Sequence, residues 1–276
     1  MLDLFRSKRY HPRLMDLHFS EFSYGYAVTE EIARLGGPLA AAPVFPSLAE
    51  EGMAGRGYDV RINLAKPALP LFLQFKLSQY ISRRRADQQE APYWPGQKFF
   101  RVRLRTRRPN QHQLLLDLEA GGNQVYYVAP SFYLVSELNA HYSGRCVLAE
   151  SAIVSPGTLG PYPEGEPHHF SFRHARDGMA YKFSEPEAFE FRSFAAIWDS
   201  YQARLLRASH DPDALPAGRL LERIQFSMLE ALRRSEYEGL YIDPPGQFTL
   251  FEKVSYLARV AFDATFVLVG LPQEGA

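Results

Sequence analysis

Asp59, Gln74 and Lys76 are the residues of this 276-residue chain whose types and spacing best suit chemistry. They fall on two short segments with strand-like alternation, Tyr58 to Asn63 and Leu71 to Lys76, joined by a turn containing Pro67. Side chains alternate across a strand, so Phe72, Gln74 and Lys76 share one face while Leu71, Leu73 and Phe75 share the other. A hairpin folded about the Lys66/Pro67 bond sets Asp59 across from Gln74, with Lys76 two residues further on the same face. A carboxylate and an amide oxygen are hard donors suited to Mg²⁺ or Mn²⁺, which keeps several waters and takes few protein ligands. A lysine beside such an ion can orient an attacking water or help to deprotonate it, while the metal stabilises charge on a phosphate. The same residues also suit an ordinary half-buried hairpin with a surface lysine, and spacing alone does not separate the two readings.

The elements around this pair follow from periodicity and punctuation. Ser20 to Leu35 reads as a helix, stopped by Gly36 and Gly37 with Pro38 behind them. Gln111 to Ala120 reads as a helix closed by Gly121 and Gly122, and an apolar strand is expected at Val125 to Ala129. A helix over Ser131 to Tyr142, with Ser131 as N-cap, and a strand over Cys146 to Val154 come next.

The strings Gly57-Tyr-Asp59-Val and Leu71-Phe-Leu-Gln74-Phe-Lys76, with this order of elements behind them, resemble the PD-(D/E)xK nuclease superfamily. The branch is the Mrr-like, type IV restriction endonuclease-like one, in which Gln stands for the second acid. The resemblance covers about residues 20 to 156. It implies an α/β fold, a mixed β-sheet flanked by helices, and Mg²⁺-dependent hydrolysis of phosphodiesters in DNA, with RNA as the alternative substrate. It also implies a setting in defence against foreign DNA. Asp59, Gln74 and Lys76 become the expected catalytic residues, and an acid from the preceding helix is expected to join them at the metal. Tyr24, Val28, Glu31 and Leu35 fall on one stripe of that helix, and a carboxylate in an apolar stripe is costly unless it is paired or metal-bound. Glu31 is therefore the first choice, Glu21 the second, and Glu30 the third, as a solvated helix acid. Gln74 departs from the acidic pattern and lowers the negative charge of the site.

The formal net charge of zero conceals a strong asymmetry. From Lys76 to Arg108 ten basic side chains (Lys76, Arg83, Arg84, Arg85, Lys98, Arg101, Arg103, Arg105, Arg107 and Arg108) face two acids, Asp87 and Glu90. Phe99 to Thr106 alternates so that Phe100, Val102, Leu104 and Thr106 point one way and Phe99, Arg101, Arg103 and Arg105 the other. Such an arginine face, with Tyr80, Tyr93 and Trp94 upstream, suits a phosphate backbone and stacking on exposed bases. An edge strand charged against edge-to-edge pairing is the competing account.

Length and a hydrophobic content of 46% allow a full core. The single cysteine, Cys146, excludes an intramolecular disulfide and a cysteine-based zinc cage, and a reducing cytoplasm is the natural compartment. Met1 to Arg13 mixes charges unlike a secretory leader, and the most apolar stretch, Ala261 to Leu271, contains Asp263 and is too short for a membrane span. No phosphate-binding Gly-rich loop, nucleotide fingerprint or Ser/His/Asp motif is present.

The loop from Pro156 to Pro167 is read as the boundary between a nuclease-like core, residues 1–156 with a basic insertion at about 77–110, and residues 157–276, a hairpin and helical C-terminal region packed on it. His168, His169 and His174 lack metal-ligand spacing and are discounted; His169 to Phe172 and Ala180 to Phe183 form a hairpin through Asp177-Gly178. Helices are expected over Phe191 to Ala208, Ala217 to Ser235 and Thr249 to Asp263, the last passing into Phe266 to Val269. The stripe Leu220, Leu221, Ile224, Met228, Leu229 and Leu232 is the place to look for a homodimer or partner-subunit surface. Two alternatives to a nuclease remain: a catalytically degenerate nucleic-acid-binding subunit, and a protein-interaction component of a larger assembly.

Overall fold

In a computed structural model of the chain, the described residues are 18–36, 68–82, 89–106, 110–163, 167–183, 185–211, 215–235 and 248–270. They form a mixed α/β protein with two sheets and seven helices. The first sheet has the strand order β5-β4-β1-β9, where β1 is Ala68–Phe75, β4 Gln124–Pro130, β5 Ser151–Val154 and β9 Thr265–Gly270. β1 runs parallel to β4 and antiparallel to β9, and β5 runs antiparallel to β4. The second sheet is antiparallel throughout, in the order β2-β3-β6-β7-β8: Gln79–Ile81, Phe99–Leu104, His168–Phe172, Met179–Phe183 and Glu187–Glu190.

The alternation read along Leu71 to Phe75 decides how the first sheet is covered. Leu71, Leu73 and Phe75 pack with Val128, Ile153, Val267 and Val269 into one core, under helices α1 (Glu21–Gly36), α3 (Val135–Ser143) and α5 (Phe194–His210). Phe72 points the other way with Val125, Tyr127, Phe266 and Leu268, against α2 (Gln111–Ala120), α6 (Ala217–Arg234), α7 (Leu250–Val260) and the inner face of the second sheet. A short α4 (Pro156–Leu159) completes the set. With a core on each face, the sheet is a middle layer and its strands are apolar on both sides.

Capping chemistry sets several helix ends. Asn110 Oδ1 accepts the Gln113 amide at 3.1 Å to start α2, and Gly122, in the left-handed region at φ 87°, turns the chain out of it. Thr249 and Glu252 form a reciprocal capping box on α7. Glu137, not Ser131, caps α3: its Oε2 accepts the Tyr133 and Leu134 amides at 2.9 Å each, while the Ser131 hydroxyl donates to Glu150 O. The helix therefore starts later than Ser131, and the strand expected from Cys146 shortens to Ser151–Val154 because a turn occupies 146–150.

Three expectations are corrected. Residues 157–276, expected as a hairpin and helical region packed on the core, also build its sheets, because β6 pairs with β3 and β9 pairs with β1. The stretch expected as helix through Asp263 and on to Val269 is instead α7 followed by a reversal into β9. The apolar run 266–269 lies in a sheet core, where length and periodicity do not distinguish strand from helix. The stripe on α6 is not an exposed partner surface: Leu221, Ile224, Met228 and Leu232 are buried, and Leu220 and Leu229 pack against the same core. Among the described residues no helix is long and apolar enough to cross a membrane.

Candidate active site

The site lies where β1 ends. Gln74 shares the face of Phe72, and Lys76 is the first residue beyond the strand, its amide donating to Val128 O at 3.0 Å and so keeping the end of β1 on β4. α1 is held close above this point at Gly25, where a β-carbon would stand 2.8 Å from the Phe75 ring, and at Tyr24, whose ring meets Phe75 edge-on. That close approach brings Glu21, one turn earlier, to Lys76. From the other side comes the α7–β9 connection. Asp263, at φ 49° in the left-handed region that aspartate tolerates better than most residues, reverses the chain. The backbone on either side of Asp263 is pinned by Ala264 N on Ala258 O at 2.9 Å and by Gln111 Nε2 on Phe262 O at 3.1 Å.

These elements bring five side chains together. Lys76 Nζ donates to Gln111 Oε1 at 3.3 Å and lies 3.9 Å from Asp263 Oδ2. Gln74 Nε2 reaches Asp263 O at 3.4 Å and Asp263 Oδ2 at 3.5 Å, and Arg259 Nη1 lies 3.2 Å from Asp263 Oδ1. All of these separations are at or beyond the long end of the hydrogen-bond range, so the cluster is loosely held. Gln74 is only 1% exposed, yet its Oε1 has no hydrogen-bond partner, which costs about 1–3 kcal/mol for a buried acceptor. Burial pushes the Lys76 ammonium below the ordinary lysine range against the opposing pull of Asp263 and Glu21, and Arg105 and Arg259 push in the same direction as burial. Burial likewise raises the Glu21 carboxyl, with Asp263 adding to the shift while Lys76 and Arg259 oppose it.

The donor chemistry is that of a hard cation with few protein ligands. The oxygen donors near Lys76 are the unsatisfied amide oxygen of Gln74, the Asp263 carboxylate at 36% exposure, and the Glu21 carboxylate, close enough to act on the charges of Lys76 and Asp263. Among the described residues no three His, Cys, Asp or Glu side chains cluster, so an all-protein cage is absent from them. One or two carboxylates, an amide and water are what Mg²⁺ accepts.

Gln74 and Lys76 both lie against Asp263 Oδ2, and Glu21 is close enough to act on the charge of Lys76. Asp59 and its segment Tyr58 to Asn63 lie outside the described residues, and β9 fills the place beside β1 where that segment was expected: Leu73 pairs with Thr265 and Leu71 with Val267. Glu31 is corrected. It sits roughly three turns, about 15 Å, along α1 from Glu21, where its Oε2 accepts the Leu148 amide at 3.2 Å and holds the turn before β5. Glu30 pairs with Arg34 on the helix surface.

The arginine ribbon divides. Arg83, Arg84, Arg85, Arg107 and Arg108 lie outside the described residues. Arg103 and Arg105 are exposed, and Arg105 is near enough to Lys76 to affect its charge. Lys98 is exposed with its ammonium 5.9 Å from the Tyr80 ring centroid. Arg101 is corrected: it is buried, its guanidinium forked onto the fully buried Glu90, so it grips this protein and not a ligand. β3 is also no edge strand, since β2 and β6 flank it.

Sequence reasoning missed Asp263, Gln111 and Arg259. Asp263 left one signal, as the only charged residue in the apolar stretch Ala261 to Leu271. No protein-family model, curated protein or solved structure matches the chain.

Proposed function

We propose that this protein is a metal-dependent nuclease that hydrolyses phosphodiester bonds in DNA, on the plan of the PD-(D/E)xK enzymes. The observation that carries the reading is that Lys76 and the buried Gln74, whose oxygen lacks a partner, both meet Asp263, with Glu21 acting on Lys76. The order β1, α2, β4, α3, β5 supports it, with β2 and β3 as an insertion between β1 and α2 that starts the second sheet. In this reading Asp263, Glu21 and Gln74 Oε1 would hold Mg²⁺ or Mn²⁺, and Asp263, from the turn before β9, does what is expected of Asp59. The ion, when bound, would lower the pKa of a water and stabilise charge on the phosphate.

The protein's own groups supply the rest. Lys76, which donates from Nζ to Gln111 Oε1, would orient the attacking water through its remaining N–H groups, and Gln111 keeps that group aimed. Arg105, with Arg103 further along β3, places positive charge beside the site for the DNA backbone. Defence against foreign DNA rests on the family resemblance alone.

The amide at position 74 favours one alternative, a degenerate subunit that binds nucleic acid without cutting it. Incubating linear, supercoiled and single-stranded DNA, and RNA, with Mg²⁺, Mn²⁺ or a chelator separates the two. Metal-dependent cleavage of DNA that Lys76→Ala and Asp263→Ala abolish is the expected result. Binding without cleavage in any metal would select the alternative, and cleavage unaffected by both substitutions would remove the mechanism.

A further inference from the structure

Asp263 is held between two cations, one on each oxygen, and the two are not equivalent. Lys76, on the Oδ2 side at 3.9 Å, has a side chain only 15% exposed and is tethered by Gln111. Arg259, on Oδ1 at 3.2 Å, is 34% exposed and projects from the last turn of α7 on a long side chain. Both compete with a metal for the same carboxylate, but Arg259 has the greater freedom to leave. A guanidinium released beside a metal-bound phosphate would find a planar, bidentate partner there, which suits arginine better than an ammonium.

We propose that Arg259 is a placeholder cation. It occupies Asp263 before the metal arrives, is displaced when the metal binds, and then grips the phosphate of the nucleic acid. The proposal rests on the metal-site reading above and adds to it an order of events: DNA engages Arg259 only after metal has freed it. Because coupling between two ligands is reciprocal, DNA must raise metal affinity by the same factor by which metal raises DNA affinity. Removing Arg259 should uncouple them.

The test uses binding alone, on the full chain. Mn²⁺ binding is followed by the electron-paramagnetic signal of the free ion, and binding of a short fluorescein-labelled DNA duplex by anisotropy, in Ca²⁺ or in chelator. The proteins are wild type, Arg259→Ala, Arg259→Lys and Asp263→Asn, with thermal melts to show that each is folded. Arg259→Ala should bind Mn²⁺ more tightly, by about tenfold, because a competing cation is gone. Its DNA affinity should fall by about tenfold in Ca²⁺ yet stay within about twofold of wild type in chelator, where the wild-type Arg259 is engaged with Asp263 and does not reach the DNA. Arg259→Lys should fall between the two, and Asp263→Asn should lose Mn²⁺ binding.

Arg259→Ala with unchanged or weaker Mn²⁺ affinity, while wild type binds the ion and Asp263→Asn does not, would overturn the placeholder role and leave the metal site standing. An equal loss of DNA affinity with and without metal would overturn it as well, making Arg259 a constant contact. Wild type that binds no Mn²⁺ would remove both the proposal and the reading beneath it.

Discussion

Two of the buried polar clusters among the described residues, those at Glu90 and at Lys76, are built in opposite ways. Around Glu90 the contacts are short and closed. The Arg101 guanidinium forks onto the carboxylate, Nε at 2.9 Å, and His169 Nε2 lies 2.9 Å from Glu90 Oε1, off the hydrogen-bond direction. Trp94 Nε1 donates to Ser171 nearby at 2.8 Å, so the turn after Gln89 is tied to the second sheet. Around Lys76 the contacts are long, a carboxylate stands partly open to solvent, and one buried oxygen has no partner. A buried charge that is fully paired specifies structure; one left under-satisfied on a well-packed frame costs stability and keeps valence free for a ligand. The contrast that bears on the proposed function is therefore between short contacts to a carboxylate closed from solvent at Glu90 and long contacts to one partly open at Asp263.

The comparison breaks first at Glu90. Glu90→Ala takes the carboxylate away from the buried Arg101 guanidinium, and should cost about 3–5 kcal/mol, as breaking a buried ion pair does. Urea unfolding measures this directly. A loss below about 1 kcal/mol, the worth of an exposed pair, would mean that the cluster is solvated and the contrast with Lys76 is false.

Substitution on the loose side should show the reverse pattern. Asp263→Ala and Lys76→Ala should each reduce DNA cleavage by at least about a hundredfold, equivalent to about 2.7 kcal/mol of barrier. Their melting temperatures should remain within about 3 °C of wild type, since the long contacts contribute little to folding. Both effects are read from one preparation by an initial-rate assay and a thermal melt. A large fall in melting temperature with activity retained would assign the cluster to structure.

Acid sharpens the contrast by a smaller amount. Burial alone would raise the Glu90 carboxyl, but the His169 and Arg101 partners outweigh it and hold the group below the ordinary glutamate range. A depressed carboxylate contributes stability that is present above its unfolded pKa and is lost as pH falls through the folded one. The stability gap between wild type and Glu90→Gln should therefore be constant from neutral pH down to the ordinary glutamate range and should narrow below it. Urea midpoints of the two proteins at successively more acid pH check the sign. A gap that widens on acidification would contradict the assigned pairing.

What the sequence made legible follows the range over which each interaction acts. The face of Leu71 to Phe75, the α2 helix with its glycine stop and the hairpin of β6 and β7 rest on local period and turn chemistry, and they were readable. The nearness of Gln74 and Lys76 rests on the same local range, Lys76 following directly on the strand that carries Gln74. Asp263 was not readable, because it reaches Gln74 only through β9, which pairs with β1 from the far end of the chain. Nothing local in Phe266 to Val269 separates a core strand from a buried helix, and the reversal that places Asp263 depends on a backbone angle that spacing does not encode. Glu31 misled because burial in an apolar stripe is equally well explained by a backbone amide, here that of Leu148, as by a metal. Arg101 misled in the same way: alternation gave its face correctly, but its partner Glu90 comes from a turn outside the strand.

The smallest effect tests the comparison most sharply, because stability and activity should move apart in a single protein. Gln74→Met keeps the length and volume of the side chain and removes both its orphaned oxygen and its long contacts to Asp263. The lost contacts, at 3.4 and 3.5 Å, are weak, whereas the buried acceptor carries a full desolvation cost. The variant should therefore be more stable than wild type by about 1 kcal/mol while cleaving DNA far more slowly. If the amide serves only packing, Gln74→Met should leave cleavage intact. If the oxygen is satisfied by a resident water that does no chemistry, the variant should lose stability instead. Only a site held open for a ligand gives a gain in one measurement and a loss in the other, and a denaturant titration run beside a cleavage time course decides among the three.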